Sequence, residues 1–189
     1  HQGKVLVIHH RKLDRWLPLG GHIELDEDPE QAALREAREE SGLDIELVGE
    51  RPPTTGPGTR ALIAPRFLDI HRISETHEHI GMIYFARPRS GQATLAADEH
   101  HQIRWCTSAE LDALDPPMSD AVKWYCHAAL REVYAELVND GVKGLHYIPG
   151  DALYGTDTEG ATDASHASDL GFMRQANVME PVIRAALGR

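Results

Sequence analysis

"GHIELDEDPEQAALREAREESGL", residues 21–43, decides the fold. Its centre reads as one helix over 29–41. Asp28 can act as the N-cap, Pro29 sits at the first helical position, and Gln31 can complete a capping box. Gly42 suits the left-handed residue just past the helix end. On a wheel of about 100° per residue, Glu36, Glu39 and Glu40 share one arc. Ala33, Leu34 and Ala37 occupy the next arc, which can face a sheet, and Arg35, Arg38 and Gln31 take the remaining side. Like charges on one helix face repel by roughly 0.2–0.5 kcal/mol per neighbouring pair. The chain is already acidic, with 30 Asp+Glu against 19 Lys+Arg and a formal charge of -11. The crowding therefore marks either a solvated acidic face balanced by Arg35 and Arg38 or a divalent-cation site.

The residues ahead of the helix favour the cation site. Gly20 and Gly21 follow a strand-like segment and a turn, and Glu27 lies just before the helix. A glycine loop lets backbone carbonyls approach a ligand closely. Carbonyl and carboxylate oxygens suit Mg²⁺ or Mn²⁺ better than Zn²⁺.

Working outward, "KVLVIHH" (4–10) reads as a strand and "RWLPLGG" (15–21) as a Pro/Gly turn region. "LDIELVG" (43–49), "ALIAPRFLDIHRI" (61–73), "HIGMIYFA" (79–86) and "QIRWC" (102–106) read as strands of a mixed sheet, and 51–60 as a loop. A short helix over 108–114 takes Ser108 as its cap. A long amphipathic helix over 119–138 places Ala121, Trp124, Ala128, Val133 and Leu137 roughly on one side. The expected class is α/β, a mixed sheet between helices, with residues 1–138 as one domain. Residues 139–189 read as a strand–loop–helix appendage, with 145–150 as its strand.

Composition narrows the function. A 189-residue chain is one ordinary domain with room for a small addition. No apolar run approaches the roughly 18 residues of a membrane span, and the first residues carry no signal or transit pattern. The acidic balance argues against nonspecific nucleic-acid or anionic-membrane partners, which need a basic footprint. Cys106 and Cys126 form no CxxC pair and read as buried free thiols, which fits a reducing cytoplasm.

The stretch 21–43 resembles the Nudix box, G-x(5)-E-x(7)-R-E-U-x-E-E-x-G-U. Gly21, Glu27, Arg35, Glu36, Glu39, Glu40, Gly42 and Leu43 match, and the departure is Ala37, where a larger apolar residue is usual. The resemblance covers about 1–138 and implies the Nudix α/β/α sandwich. The family's first strand normally precedes a segment like "KVLVIHH", so the resemblance also implies that part of the native N-terminus is absent. It further implies a Mg²⁺-dependent enzyme, with Mn²⁺ as substitute. Such an enzyme hydrolyses the pyrophosphate linkage of a small nucleoside diphosphate derivative with metal-activated water.

Glu36 and Glu40 would be the main metal ligands, and Glu39 a further ligand or the base that orients water. The Gly20 carbonyl would complete the site, and Arg35 would pair with Glu27 and brace loop against helix. Some members place another carboxylate across the cleft. Glu99 stands where that acid is expected, and Glu78 is a weaker candidate. A homodimer is compatible with this reading. The rival reading is a noncatalytic Nudix-fold nucleotide-binding module.

Other residues read more plainly. His77, His79, His100 and His101 fit surface or packing histidines better than a second metal site. Trp16, Tyr84, Phe85 and Trp105 fit core packing better than base stacking.

The tail carries a second resemblance. Residues 162–187 are similar to the C-terminal end of SGNH (GDSL-type) hydrolases, where a D-x-x-H block supplies two members of a catalytic triad. Here that block is Asp163 and His166. "GDAL" at 150–153 is no nucleophile block, because Ala152 has no hydroxyl and the stretch lies just ahead of the D-x-x-H block rather than far upstream. The segment 144–189 is expected to be a vestigial fragment. An esterase would need a nucleophile from elsewhere.

Overall fold

The structure is a computed structural model of the chain. It describes all residues except 54–55, 91, 144, 147, 149–152, 154–158, 160–167 and 189. Two compact units emerge, His1–Val133 and Tyr134–Arg189. The class is α/β, with strands β1 (Val5–His10), β2 (Arg15–Leu17), β3 (Asp44–Leu47), β4 (Phe67–Ser74), β5 (His77–Ile83), β6 (Ala86–Ser90) and β7 (His100–Cys106). The helices are α1 (Pro29–Ser41), α2 (Ser108–Asp112), α3 (Asp120–Asn139) and α4 (Asp169–Ala186). The strands form three antiparallel ladders, β2-β1-β7, β3-β6 and β4-β5.

Helix α1 starts and stops where the sequence expects. The Asp28 side chain accepts from the amides of Glu30 and Gln31, the Gln31 side chain accepts from the Asp28 amide, and Gly42 closes the helix at φ 68°. Its buried face differs from the wheel. Glu30, Ala32, Ala37, Glu40 and Ser41 are buried, whereas Leu34 is exposed. The wheel assumed that the most apolar arc turns inward; instead the helix buries small residues and two carboxylates.

The core of the first unit lies between β2-β1-β7 and the segment from α2 into the first part of α3. Val7, Trp16 and Cys106 pack with Leu111, Leu114, Met118 and Cys126, and Val122 and Leu130 extend the cluster. Helix α3 therefore buries the 122/126/130 ridge at i, i+4 spacing. The Ala121/Trp124 side expected from the pattern is exposed, with Trp124 at 50 %. Trp124 still works at the surface: Phe67 of β4 meets it edge-on at 5.1 Å and stacks on Tyr125 at 5.6 Å. Both thiols are buried and free, and burial pushes Cys126 up to about 12.

Three other boundaries shift. Strand β4 begins at Phe67 rather than at 61. Ile63 N–H donates to the Glu30 carboxylate instead of to a sheet, and Pro65 has no N–H to offer. The expected strand 79–86 is two strands, β5 ending at Ile83 and β6 starting at Ala86 to pair with β3. The cap of α2 is Thr107, not Ser108, because Thr107 and Glu110 form the reciprocal capping box. In the second unit, α4 is capped by Ser168 and contains Pro181. The expected strand at 145–150 lies partly outside the described residues; Leu145, His146 and Ile148 are not in a strand. No helix among the described residues is long and apolar enough to cross a membrane.

Candidate active site

The carboxylates of α1 sort into two groups. The first surrounds Arg35. Its guanidinium donates to both oxygens of Glu27 (Nε–Oε2 3.0 Å, Nη2–Oε1 2.6 Å), to Glu36 Oε1 at 2.8 Å and to Glu39 Oε2 at 2.9 Å. Nη2 also donates to the His22 carbonyl at 3.0 Å. The Glu27 pairing ties the loop to the helix, as the resemblance implied. The wheel's separation of Arg35 from the acids does not hold, because the long side chain bends back over Glu36 and Glu39. Arginine hydrogen bonds hold the Glu27 carboxyl below its ordinary range, and the same acids raise Arg35.

The second group surrounds Glu40, which is only 4 % exposed. Gly20 N–H donates to Glu40 Oε2 at 2.8 Å. This contact uses the Gly20 amide, a different group from the carbonyl expected to complete the metal site. Burial first, and then the charges of Glu36, Glu99 and Glu39, push the Glu40 carboxyl up to about 7, against the pull of the Gly20 amide. One ligand atom each from Glu40, Glu99 and His100 lie within 4.8 Å of one another. Glu99, singled out from the sequence, lies in this group. His100, which the sequence read as a surface or packing histidine, is fully buried beside it.

His100 Nε2 lies 3.1 Å from Glu40 Oε1, but the two are not aligned for a hydrogen bond, and neither ring nitrogen has a hydrogen-bond partner. Burial, then the neighbouring His10, lower the His100 pKa.

Backbone features make room for these groups. A Cβ on Gly21 would fall 2.0 Å from Glu36 Oε1, so any larger residue there would make that carboxylate shift. The start of α1 is anchored from the far side: Glu30 is buried and pairs with Arg51, and Asp28 pairs with Arg60.

The remaining candidates fall elsewhere. Glu78 faces Arg72 at 3.6 Å. His77 and His79 contact each other on β5, with nitrogens 2.7 Å apart. Trp16 and Phe85 are buried, and Tyr84 and Trp105 half-buried. Asp163 and His166 lie outside the described residues. A hollow of about 290 Å³ lined by His1, Leu43, Pro88, Arg89, Gln92, Ala93 and Trp105 contains none of the acids of residues 21–43.

Comparison with known proteins adds the following. The family model described as NUDIX domain matches residues 1–125. A second, described as GDSL-like Lipase/Acylhydrolase family, matches 107–184. Among solved structures, the chain is similar to a NUDIX-family hydrolase from Clostridium perfringens. The identity is 29 %, the TM-score is 0.59, and the match covers 69 % of this chain and 90 % of that one. It also shares its fold with the E. coli dihydroneopterin triphosphate pyrophosphohydrolase, at 18 % identity and a TM-score of 0.51, over 69 % of this chain and 87 % of that one. No curated protein matches the chain.

Proposed function

The chain belongs to the NUDIX family and is a pyrophosphohydrolase, and from that premise we propose that it cleaves the pyrophosphate linkage of a small nucleoside diphosphate derivative at the Glu40 cluster, with Mg²⁺ as its cation. The observation that carries the placement is the buried Glu40 carboxyl, raised to about 7 and set beside Glu99 and an unpartnered imidazole. An isolated carboxylate in that position is costly unless a positive charge joins it.

The residues present fit a divalent cation. Glu40 and Glu99 offer oxygens within ligand range of each other. Glu36 and Glu39 stand close enough to raise Glu40 and can turn from Arg35 to share the charge. A bound cation would neutralise phosphate oxygens and lower the pKa of water, which is the chemistry a polyanionic substrate needs. The chain's own groups do the rest. Gly20 N–H fixes one Glu40 oxygen. Glu40 holds a proton near neutrality and gives it up as positive charge arrives. Glu39, the most exposed of the three helix acids, reaches solvent and is the group we assign to orient water. Arg35 and Glu27 hold the loop against the helix so that these positions persist. Positioning and charge stabilisation dominate phosphoryl transfer, so no Ser or Cys nucleophile is required.

The GDSL-like match spans 107–184 and so overlaps the end of the NUDIX match; we keep the appended fragment at 139–189 as a proposal, outside this chemistry. The test is a panel of nucleoside triphosphates, dinucleoside polyphosphates, ADP-ribose and nucleotide sugars with Mg²⁺ or Mn²⁺, run in ¹⁸O-labelled water. Turnover that stops on chelation and places ¹⁸O on a phosphate product is expected. Absence of cation-dependent turnover across the panel would leave only a binding module.

A further inference from the structure

His100 owes its position to a fault in the β1–β7 ladder. Pairing runs Ile8↔Ile103 and His9↔Gln102, then slips, so that His10 faces His100 and His101 is the extra residue. Side chains alternate across a strand, so the extra residue moves His100 to the face that carries His10. Without it His101 would oppose His10. His100 is buried there and His101 is exposed.

Burying an imidazole whose ring nitrogens make no aligned hydrogen bond is costly. The distance is informative. Two ligands at right angles on one cation, each about 2.1 Å away, lie about 3 Å apart. His100 Nε2 and Glu40 Oε1 are 3.1 Å apart and not aligned for a hydrogen bond, as two ligands of one cation would be. Glu99, the residue before His100, brings a second carboxylate oxygen into the same group.

We propose that His100 Nε2 is a nitrogen ligand which, with Glu40 and Glu99, makes a mixed nitrogen–oxygen site that prefers a borderline first-row cation such as Mn²⁺ over Mg²⁺. This rests on the reading of a divalent-cation site at Glu40 and revises its preferred ion from Mg²⁺ to Mn²⁺. An all-oxygen set leaves Mg²⁺ competitive, whereas one imidazole favours transition ions. The inference concerns the ligand set and needs no substrate.

The experiment is pulsed EPR on the full chain loaded with Mn²⁺, prepared with natural and ¹⁵N-labelled histidine. Nitrogen coupling to Mn²⁺ that changes with the isotope is expected, together with its loss in His100→Gln. Calorimetry on the same samples should show Mn²⁺ binding weakened by about tenfold or more in His100→Gln, with Mg²⁺ binding changed much less. If His100→Gln fails to fold, the isotope experiment on the unaltered chain still decides. Tight Mn²⁺ binding without nitrogen coupling would overturn the ligand claim while leaving the cation site standing. Coupling that persists in His100→Gln would overturn it too, as would equal weakening of both ions. Binding of neither ion would overturn both readings.

Discussion

Glu36 and Glu40 are four residues apart on one helix and differ in almost everything else. Glu36 is held by Arg35 and packed against the open face of Gly21. Glu40 is buried, held by one backbone amide, and surrounded by other acids and the His100 imidazole. The first group already contains its countercharge; the second lacks one. A carboxylate cluster is therefore not one electrostatic object. Whichever member lacks a fixed cation of its own has the most to gain from one that arrives from solution.

The sharpest way to break that contrast is Glu40→Gln. The amide keeps the shape and removes the charge, so turnover should fall at least about 100-fold, while Glu39→Gln, at the exposed end, should cost less. Steady-state rates of both variants on the best panel substrate check the order. Equal losses would mean that the two groups act as one.

Gly21→Ala probes the other group. The added methyl would displace the Glu36 carboxylate, and about a tenfold loss of kcat/KM is expected with secondary structure retained by circular dichroism. Wild-type kinetics would show that Glu36 can be moved freely.

The third test is thermal. Glu40 titrates near 7 in the folded chain against an ordinary value of 4.5. Between those values the folded state binds more protons than the unfolded state, so stability falls as pH rises through that window, and the full cost is present above it. Melting curves without cation should show this decline in the wild type and a flatter profile in Glu40→Gln, and Mg²⁺ or Mn²⁺ should flatten the wild-type profile.

The smallest effect concerns arginines. Arg35→Ala strips three carboxylates of their partner and should lower Tm clearly. Arg38→Ala removes only the exposed pair with Asp44 and should shift Tm by about 2 °C or less. Differential scanning fluorimetry of the two variants side by side measures the gap.

How much of this the sequence carried depends on range. Capping at Asp28, Gln31 and Gly42 is local chemistry, and the helix fell where it was expected. The pairing of Arg35 with Glu27 followed from the family pattern, and Glu99 from its place before a strand. What failed needed contacts across the fold. The wheel could not know that Arg35 would curl over Glu36 and Glu39, nor that Leu34 would stay outside while Glu40 went in. The inward face of α3 is Val122, Cys126 and Leu130 at plain i, i+4 spacing; the neighbouring Ala121/Trp124 side has a similar apolar pattern, and only packing against β1 and β7 separates the two. His100 was not legible as a buried group, because its direction depends on a one-residue slip that exists only once β7 pairs with β1. Thr107 was legible: a Thr with Glu three residues on is a capping box, and that signal was passed over for Ser108.

The most direct test of the claim that Glu40 is where the cation binds needs no substrate. At pH 8, Tm is measured for the wild type and Glu40→Gln as Mg²⁺ or Mn²⁺ is raised to about 100 times the wild-type Kd. The wild type should gain about 5 °C or more, and Glu40→Gln should gain little. Equal gains in the two proteins would place the cation elsewhere and contradict the account.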